Sequence, residues 1–95
     1  MKFRFKSSKL EELYTNERGA HKYLRSVVNN FFEVMSIIEA ASNEGQLAQI
    51  RGLNLEKLGG RRKGQLSIRL SKQYRLIYTR IEDCLVILEI SKHYQ

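Results

Sequence analysis

From Leu66 to Ile90 the chain carries three strand-like runs, the first strictly alternating, separated by two polar turns, and this pattern constrains the fold more than any other. Leu66, Ile68 and Leu70 point one way and Ser67, Arg69 and Ser71 the other, because successive side chains of a strand leave opposite faces. Ser71-Lys72-Gln73 turns the chain, Tyr74 to Arg80 returns as a second strand, and Ile81-Glu82-Asp83 turns it again. Leu85 to Ile90 is apolar on both faces apart from Glu89, as in a strand covered by helices. Strands joined by such short turns pair antiparallel, so this half of the chain is a meander.

Leu53, Leu55 and Leu58 only partly alternate and predict a short or irregular strand at the start of the meander. Gly59-Gly60 and Gly64 flank Arg61-Arg62-Lys63, which reads as a flexible basic loop.

The N-terminal half has a different period. Phe3 and Phe5 alternate with Lys2, Arg4 and Lys6, a short strand with one buried face. Ser8 followed by Glu11 forms a capping box for a first helix from about Lys9 to Asn16, with Leu10, Leu13 and Tyr14 as its apolar stripe. Gly19 breaks it. From Ala20 to about Ala41, Leu24, Val27, Val28, Phe31, Val34, Met35 and Ile38 recur at helical spacing and predict a long amphipathic second helix. Asn43-Glu44-Gly45 ends that helix, and Gln46 to Arg51 is a polar connector. The expected class is α+β: a short N-terminal strand, two helices, then an antiparallel meander of about four strands in one sheet with helices packed on one face. With 95 residues, no repeats and no proline linker, residues 1–95 form one domain with a thin core.

Charge is distributed as unevenly as the elements. The net charge is +7, yet residues 1–50 hold seven basic and six acidic groups (7 − 6 = +1), and residues 51–95 hold ten and four (10 − 4 = +6). Between Lys57 and Arg80 there are eight basic residues and no acidic one. A sheet with such a polar face suits a polyanion, although basic surfaces also serve solubility. Cys84 is the single cysteine, which excludes an intramolecular disulfide and agrees with a reducing compartment. Inside the run Cys84-Leu85-Val86-Ile87-Leu88 it reads as a buried, inert thiol. One cysteine and the distant His21 and His93 give no metal-ligand spacing, so no metal is expected. Met1 to Lys6 lacks the apolar core of a signal peptide and no apolar run reaches membrane-spanning length, so the expected location is cytoplasmic, without membrane contact.

Several residues could carry chemistry on that cationic sheet. Arg69 lies opposite its buried neighbours Ile68 and Leu70, where its planar fork can meet a phosphate or pair with a carboxylate such as Glu89. Arg75 follows Tyr74 on the next strand, and period two alone does not say whether it shares that face. Arg61, Arg62 and Lys63 are either phosphate contacts or a solvated hairpin tip. His93 and Tyr94 are adjacent proton-carrying side chains near the sheet, and Glu56 beside Lys57 is a second possible base or a surface ion pair. Cleavage of RNA by its own 2′-hydroxyl needs a base, an acid and cations for the charge that builds on phosphorus, and each is represented.

The run from Leu55 to Tyr78 resembles the HigB branch of the RelE/ParE toxin superfamily. The resemblance rests on the Leu58-Gly59-Gly60 step, the basic stretch Arg61 to Lys63, the Gly64-to-Arg69 strand with its Ser67-Ile68-Arg69, and the return Tyr74-Arg75-Leu76. The order of elements is similar over nearly the whole chain, and the motif match covers residues 53 to 94. It implies a RelE-like fold and the toxin of a bacterial type II toxin–antitoxin system, a ribosome-dependent endoribonuclease that cuts messenger RNA in the A site without a cofactor. It implies as partners a HigA-like helix-turn-helix antitoxin, the ribosome and mRNA, with operator DNA bound only through the toxin–antitoxin complex. Arg75 matches the family's arginine at the scissile phosphate and Arg69 a binding or scaffolding arginine. Where the family commonly has Asp-Tyr-His, this chain has Lys92-His93-Tyr94. Glu56 stands where HigB proteins can carry a histidine, and Gly59 replaces the family's lysine, for which Lys57 or Lys63 could substitute. Two other outcomes on the same scaffold are a ParE-like gyrase inhibitor that binds without cutting and a decayed toxin kept as an RNA-binding protein.

Overall fold

The computed structural model describes residues 1–92. Strand β1 (Lys2–Phe5) leads into helix α1 (Ser8–Asn16), and a single 3₁₀ turn at Ala20–Lys22 precedes α2 (Arg25–Ala40). A short helix α3 (Glu44–Gln49) and a second 3₁₀ turn (Arg51–Leu53) lead to β2 (Glu56–Lys57), and a third 3₁₀ turn (Gly60–Arg62) to β3 (Gln65–Arg69), β4 (Tyr74–Ile81) and β5 (Cys84–Lys92). The five strands form one sheet in the order β1-β5-β4-β3-β2.

The class is the α+β arrangement expected, and β2 to β5 form the expected antiparallel meander. The sheet as a whole is mixed, because β1 pairs parallel with β5, Phe3 opposite Leu85 and Phe5 opposite Ile87. Hydrogen bonding between the two ends of the chain has no local signature. A bulge between Ile77 and Tyr78 leaves Leu88 without a register partner, so Glu89 and Val86 lie on the same face. Val86 is nevertheless buried on that face at 2% exposure, as is Ile77 at 3%.

Three local expectations are corrected. The cap of α1 is Ser7, whose hydroxyl accepts from the Leu10 amide at 3.4 Å, one residue earlier than the Ser8-Glu11 pattern suggested. The second helix starts at Arg25 rather than Ala20, because Gly19 is left-handed (φ 83°) and Tyr23 is extended, setting its ring edge-on to Tyr74 at 6.1 Å. Leu24 is thereby left outside the buried stripe at 70% exposure. The segment Gln46 to Arg51 is not a connector throughout, since Asn43 caps α3 by accepting from the Gln46 amide at 3.1 Å and Leu47 is fully buried.

The core lies between one face of the sheet and the helices. Val27, Phe31, Val34, Met35 and Ile38 of α2 and Leu10 and Leu13 of α1 pack on Ile68, Leu70, Leu76, Tyr78, Leu85 and Ile87. Phe3, Phe5, Tyr14, Phe31 and Phe32 interlock, mostly edge-on or tilted, with ring centroids 5.4 to 6.5 Å apart. At the far end of β4 the buried Tyr78 hydroxyl donates to Glu44 of α3 at 2.7 Å, and Arg80 pairs with the same carboxylate at 3.4 Å. Burial first, then the Glu44 bond and charge, pushes the Tyr78 phenol far above its ordinary range. Among the described residues no helix is long and apolar enough to cross a membrane.

Candidate functional site

The helix-free face of the sheet gathers the cations. β3 and β4 place Arg69 directly opposite Arg75, and their core-facing neighbours Ile68, Leu70 and Leu76 are buried, which turns both guanidinium groups outward. The turn between them is fixed locally. Ser71 Oγ accepts from the amides of Gln73 and Tyr74 at 3.2 and 3.1 Å, the Leu70 amide donates to the Tyr74 carbonyl at 2.9 Å, and Asn30 of α2 donates to the Leu70 carbonyl at 2.7 Å. The pairing of β3 and β4 therefore sets two like charges side by side, which is unfavourable unless an anion joins them.

Arg75 is oriented by two acceptors. Its Nε–H donates to Ser67 Oγ at 2.7 Å and its Nη2 to the backbone carbonyl of Asn54 at 2.5 Å. Asn54 is in the left-handed region at φ 43°, a conformation asparagine tolerates better than most residues. Glu56 of β2 lies opposite Ser67 in register. Asn54, Glu56, Arg69, Lys72, Gln73 and Arg75 line a cleft of about 500 Å³. A second cleft of about 210 Å³ adjoins it across Arg75 and is lined by Leu58, Arg62, Ser67, Ser91 and Lys92.

The structure thus brings together Arg75, Arg69 and Glu56 on one cleft and Arg62 and Lys92 on the other. Arg62 is held by Gln65 Oε1 and Glu89 Oε1, each at 2.9 Å, so Glu89 pairs with Arg62 and not with Arg69. Within the basic segment Arg61 and Arg62 belong to the 3₁₀ turn Gly60–Arg62 and Lys63 ends it, with Gly60 (φ 60°) and Gly64 (φ 90°) in backbone conformations open to glycine. Arg61 and Lys63 are exposed at this turn and line neither cleft. Lys57 is separated from Glu56 by the alternation of β2; it lies opposite Leu66 and lines a different groove, of about 750 Å³, with Leu55, Glu44 and Arg80. His93 and Tyr94 lie outside the described residues. Among the described residues no group of histidine, cysteine, aspartate and glutamate side chains is arranged to hold a metal ion.

Three participants escaped the sequence reading: Ser67, Asn54 and Lys72. Period two already put Ser67 on the face of Arg69, but only cross-strand register shows that it lies under Arg75. Asn54 acts through a carbonyl, which no side-chain pattern records.

Comparison with known proteins adds a lineage to this geometry. A family description, RelE-like toxin of type II toxin-antitoxin system HigB, matches residues 3–93. Toxin HigB-1 of Vibrio cholerae is 32% identical over 93 residues, covering 98% of either chain. A YafQ mutant from E. coli superposes with a TM-score of 0.69 at 12% identity, over 96% of this chain and 91% of that one. The YoeB-YefM complex from Staphylococcus aureus gives 0.64 at 23% identity, over 99% and 98%.

Proposed function

The chain belongs to the HigB family of RelE-like toxins of type II toxin–antitoxin systems, and from that premise and the arrangement around Arg75 we propose that it is an endoribonuclease acting on messenger RNA in the ribosome. The observation that carries this reading is the oriented guanidinium of Arg75, which stands between two clefts with Arg69 facing it and a carboxylate, Glu56, on the same cleft. A planar fork beside further cations matches the charge of a phosphodiester, and fixed donors stabilise the charge that grows during in-line attack.

In the proposed reaction the 2′-hydroxyl oxygen forms a bond to the adjacent phosphorus and the bond from phosphorus to the 5′-oxygen breaks. Glu56 accepts the 2′-hydroxyl proton, and the departing 5′-oxygen takes a proton from the His93-Tyr94 end of the chain. Arg75 faces the non-bridging oxygens, and Arg69, Arg62 and Lys92 hold the flanking phosphates. The nucleophile belongs to the substrate and the positive charge to the protein, so the chemistry needs no cofactor. The ribosome supplies what this open cleft lacks, a fixed path for the RNA, and proximity of that kind supplies a large share of a barrier reduction. Control by an antitoxin follows from the family; the proposed partner is a helix-turn-helix protein of the HigA type, with which the toxin would bind operator DNA, in the cytoplasm.

The decisive assay adds purified protein to programmed ribosomes and maps A-site cleavage by primer extension. Wild-type protein is expected to cut, and Arg75→Ala to fail. Absence of cleavage together with inhibition of gyrase supercoiling would overturn the nuclease reading in favour of a ParE-like binder.

A further inference from the structure

Apart from the Tyr78 phenol, Ser67 is the only polar side chain among the described residues that is fully buried. Its neighbours on the same face, Gln65 and Arg69, reach solvent, and a hydroxyl taken out of water is unfavourable unless it is bonded. The bond it makes is to Arg75 Nε–H at 2.7 Å. A second acceptor, the Asn54 carbonyl, takes Nη2, and it reaches that point only because Asn54 adopts a left-handed backbone between the 3₁₀ turn and β2.

The two acceptors take Nε and Nη2 of the guanidinium and leave Nη1 without a partner among the described residues. The edge formed by Nη1 and Nη2 is the one that can grip two oxygens of a phosphate side by side. No other described residue is bonded to it. We infer that Ser67 and the Asn54 carbonyl are positioning groups: they hold the inner edge of Arg75 so that its outer edge faces the phosphate in the cleft. An arginine on a flexible stem would otherwise sample several rotamers, and the pairing of Arg69 directly opposite would push it away. Ser67 thus acts through Arg75 without touching substrate. The inference deepens the nuclease reading and rests on it for its consequence, although the aiming itself can be measured without any cleavage.

The test uses the full chain labelled at the arginine side-chain nitrogens, observed by NMR with a non-cleavable 2′-deoxy oligonucleotide as probe. In wild-type protein the Arg75 Nε–H is expected to be protected from solvent exchange, and the guanidinium resonances to shift on addition of the probe. Ser67→Ala is expected to lose that protection and to weaken the probe by about 3- to 10-fold, less than the loss of a direct charge-assisted hydrogen bond because Ser67 acts only through Arg75. Asn54→Gly keeps both the carbonyl and access to the left-handed backbone, and is expected to keep the protection. Added to Arg75→Ala, the Ser67→Ala change is expected to cost nothing further, because the two residues work as one unit. On ribosomes, where docking on the ribosome rather than the Arg75 contact sets KM, Ser67→Ala is expected to lower kcat by about 10- to 100-fold with KM nearly unchanged, in line with misplacement of a reacting group. Identical Arg75 signals in wild type and Ser67→Ala, or an equal loss of binding in the presence and absence of Arg75, would overturn the positioning role. A wild-type protein that never cuts but shows the protected Nε–H leaves the positioning in force and removes only the nuclease reading.

Discussion

On the face of the sheet beneath α1 and α2, Phe31, Met35, Ile38, Ile68, Leu76 and Ile87 are wholly buried, and the polar tip that enters, the Tyr78 hydroxyl, is bonded to Glu44. On the opposite face of the same strands two arginines stand opposite one another, a serine is buried beneath one of them, and Glu89 is engaged by Arg62. The first arrangement serves folding, since it removes apolar area from water and satisfies what polarity it encloses. The second does not, because like charges in register cost stability that a monomer has no need to give up. A single sheet therefore separates the two tasks by the period of two, and substitutions on the two faces should fail in different ways.

The largest effect is expected on the covered face. Phe31 is wholly buried and touches the rings of Phe5, Tyr14 and Phe32, so Phe31→Ala should remove about 3–5 kcal/mol of stability, measured by urea unfolding. For a domain of this size that is a large part of the total, and the loss of toxicity should follow from unfolding alone. Arg75→Ala should reverse the signature. Cleavage on programmed ribosomes should fall by about 10²- to 10³-fold, the cost of removing one oriented donor from a developing anion, while the urea midpoint moves less than for Phe31→Ala, since truncation opens the Ser67 hydroxyl to water. If both substitutions lower the midpoint equally, the separation of tasks between the faces does not hold.

The covered face was the more legible of the two in the sequence. The periods of α2 and β3 identified their buried residues, because burial of an amphipathic element writes itself at fixed spacing, whereas in β4 period two did not choose a face and β5 read as apolar on both. What escaped had no period to write: α3 has one buried side chain, Leu47, in six residues, and β1 finds its parallel partner at the other end of the chain. On the open face the cations Arg69 and Arg75 were legible as residue types, and the resemblance singled out Arg75. Their convergence was not, since Arg75 depends on Ser67 through cross-strand register and on Asn54 through a backbone carbonyl. Lys57, a neighbour of Glu56 in sequence, is carried by alternation to another groove.

Tyr78 sharpens the comparison from the covered side. Its phenol is raised in the folded state by burial and then by Glu44, so the native protein keeps a proton that the unfolded chain releases above about pH 10. Stability should be undiminished by this group below that pH and fall as pH rises beyond it, by at most about 1.4 kcal/mol per pH unit. Tyr14 and Tyr23 are raised as well, by burial first and then by Glu39 and Tyr74 respectively, and add to the same slope. Tyr78→Phe should flatten the alkaline decline measured by urea titration at a series of pH values. An unchanged slope would mean that Tyr78 does not hold its proton against solvent.

The smallest effect should come from the open face and carry the opposite sign. Arg69 is exposed and faces Arg75 across β3 and β4, and a like-charge cross-strand pair costs roughly 0.2–1 kcal/mol, less in salt. Arg69→Gln keeps the aliphatic stem to Cδ and a polar end and removes the repulsion, so unfolding at low ionic strength should show a small gain in stability that fades as salt is added. Binding to an oligonucleotide should lose about one unit of slope in a plot of log affinity against log salt, as one phosphate contact is given up. The two outcomes belong together. If Arg69→Gln stabilised the protein and left the salt slope intact, Arg69 would be a tolerated defect of the sheet rather than part of its anion site, and Arg75 would be left as the single arginine aimed at the cleft by the β3–β4 ladder.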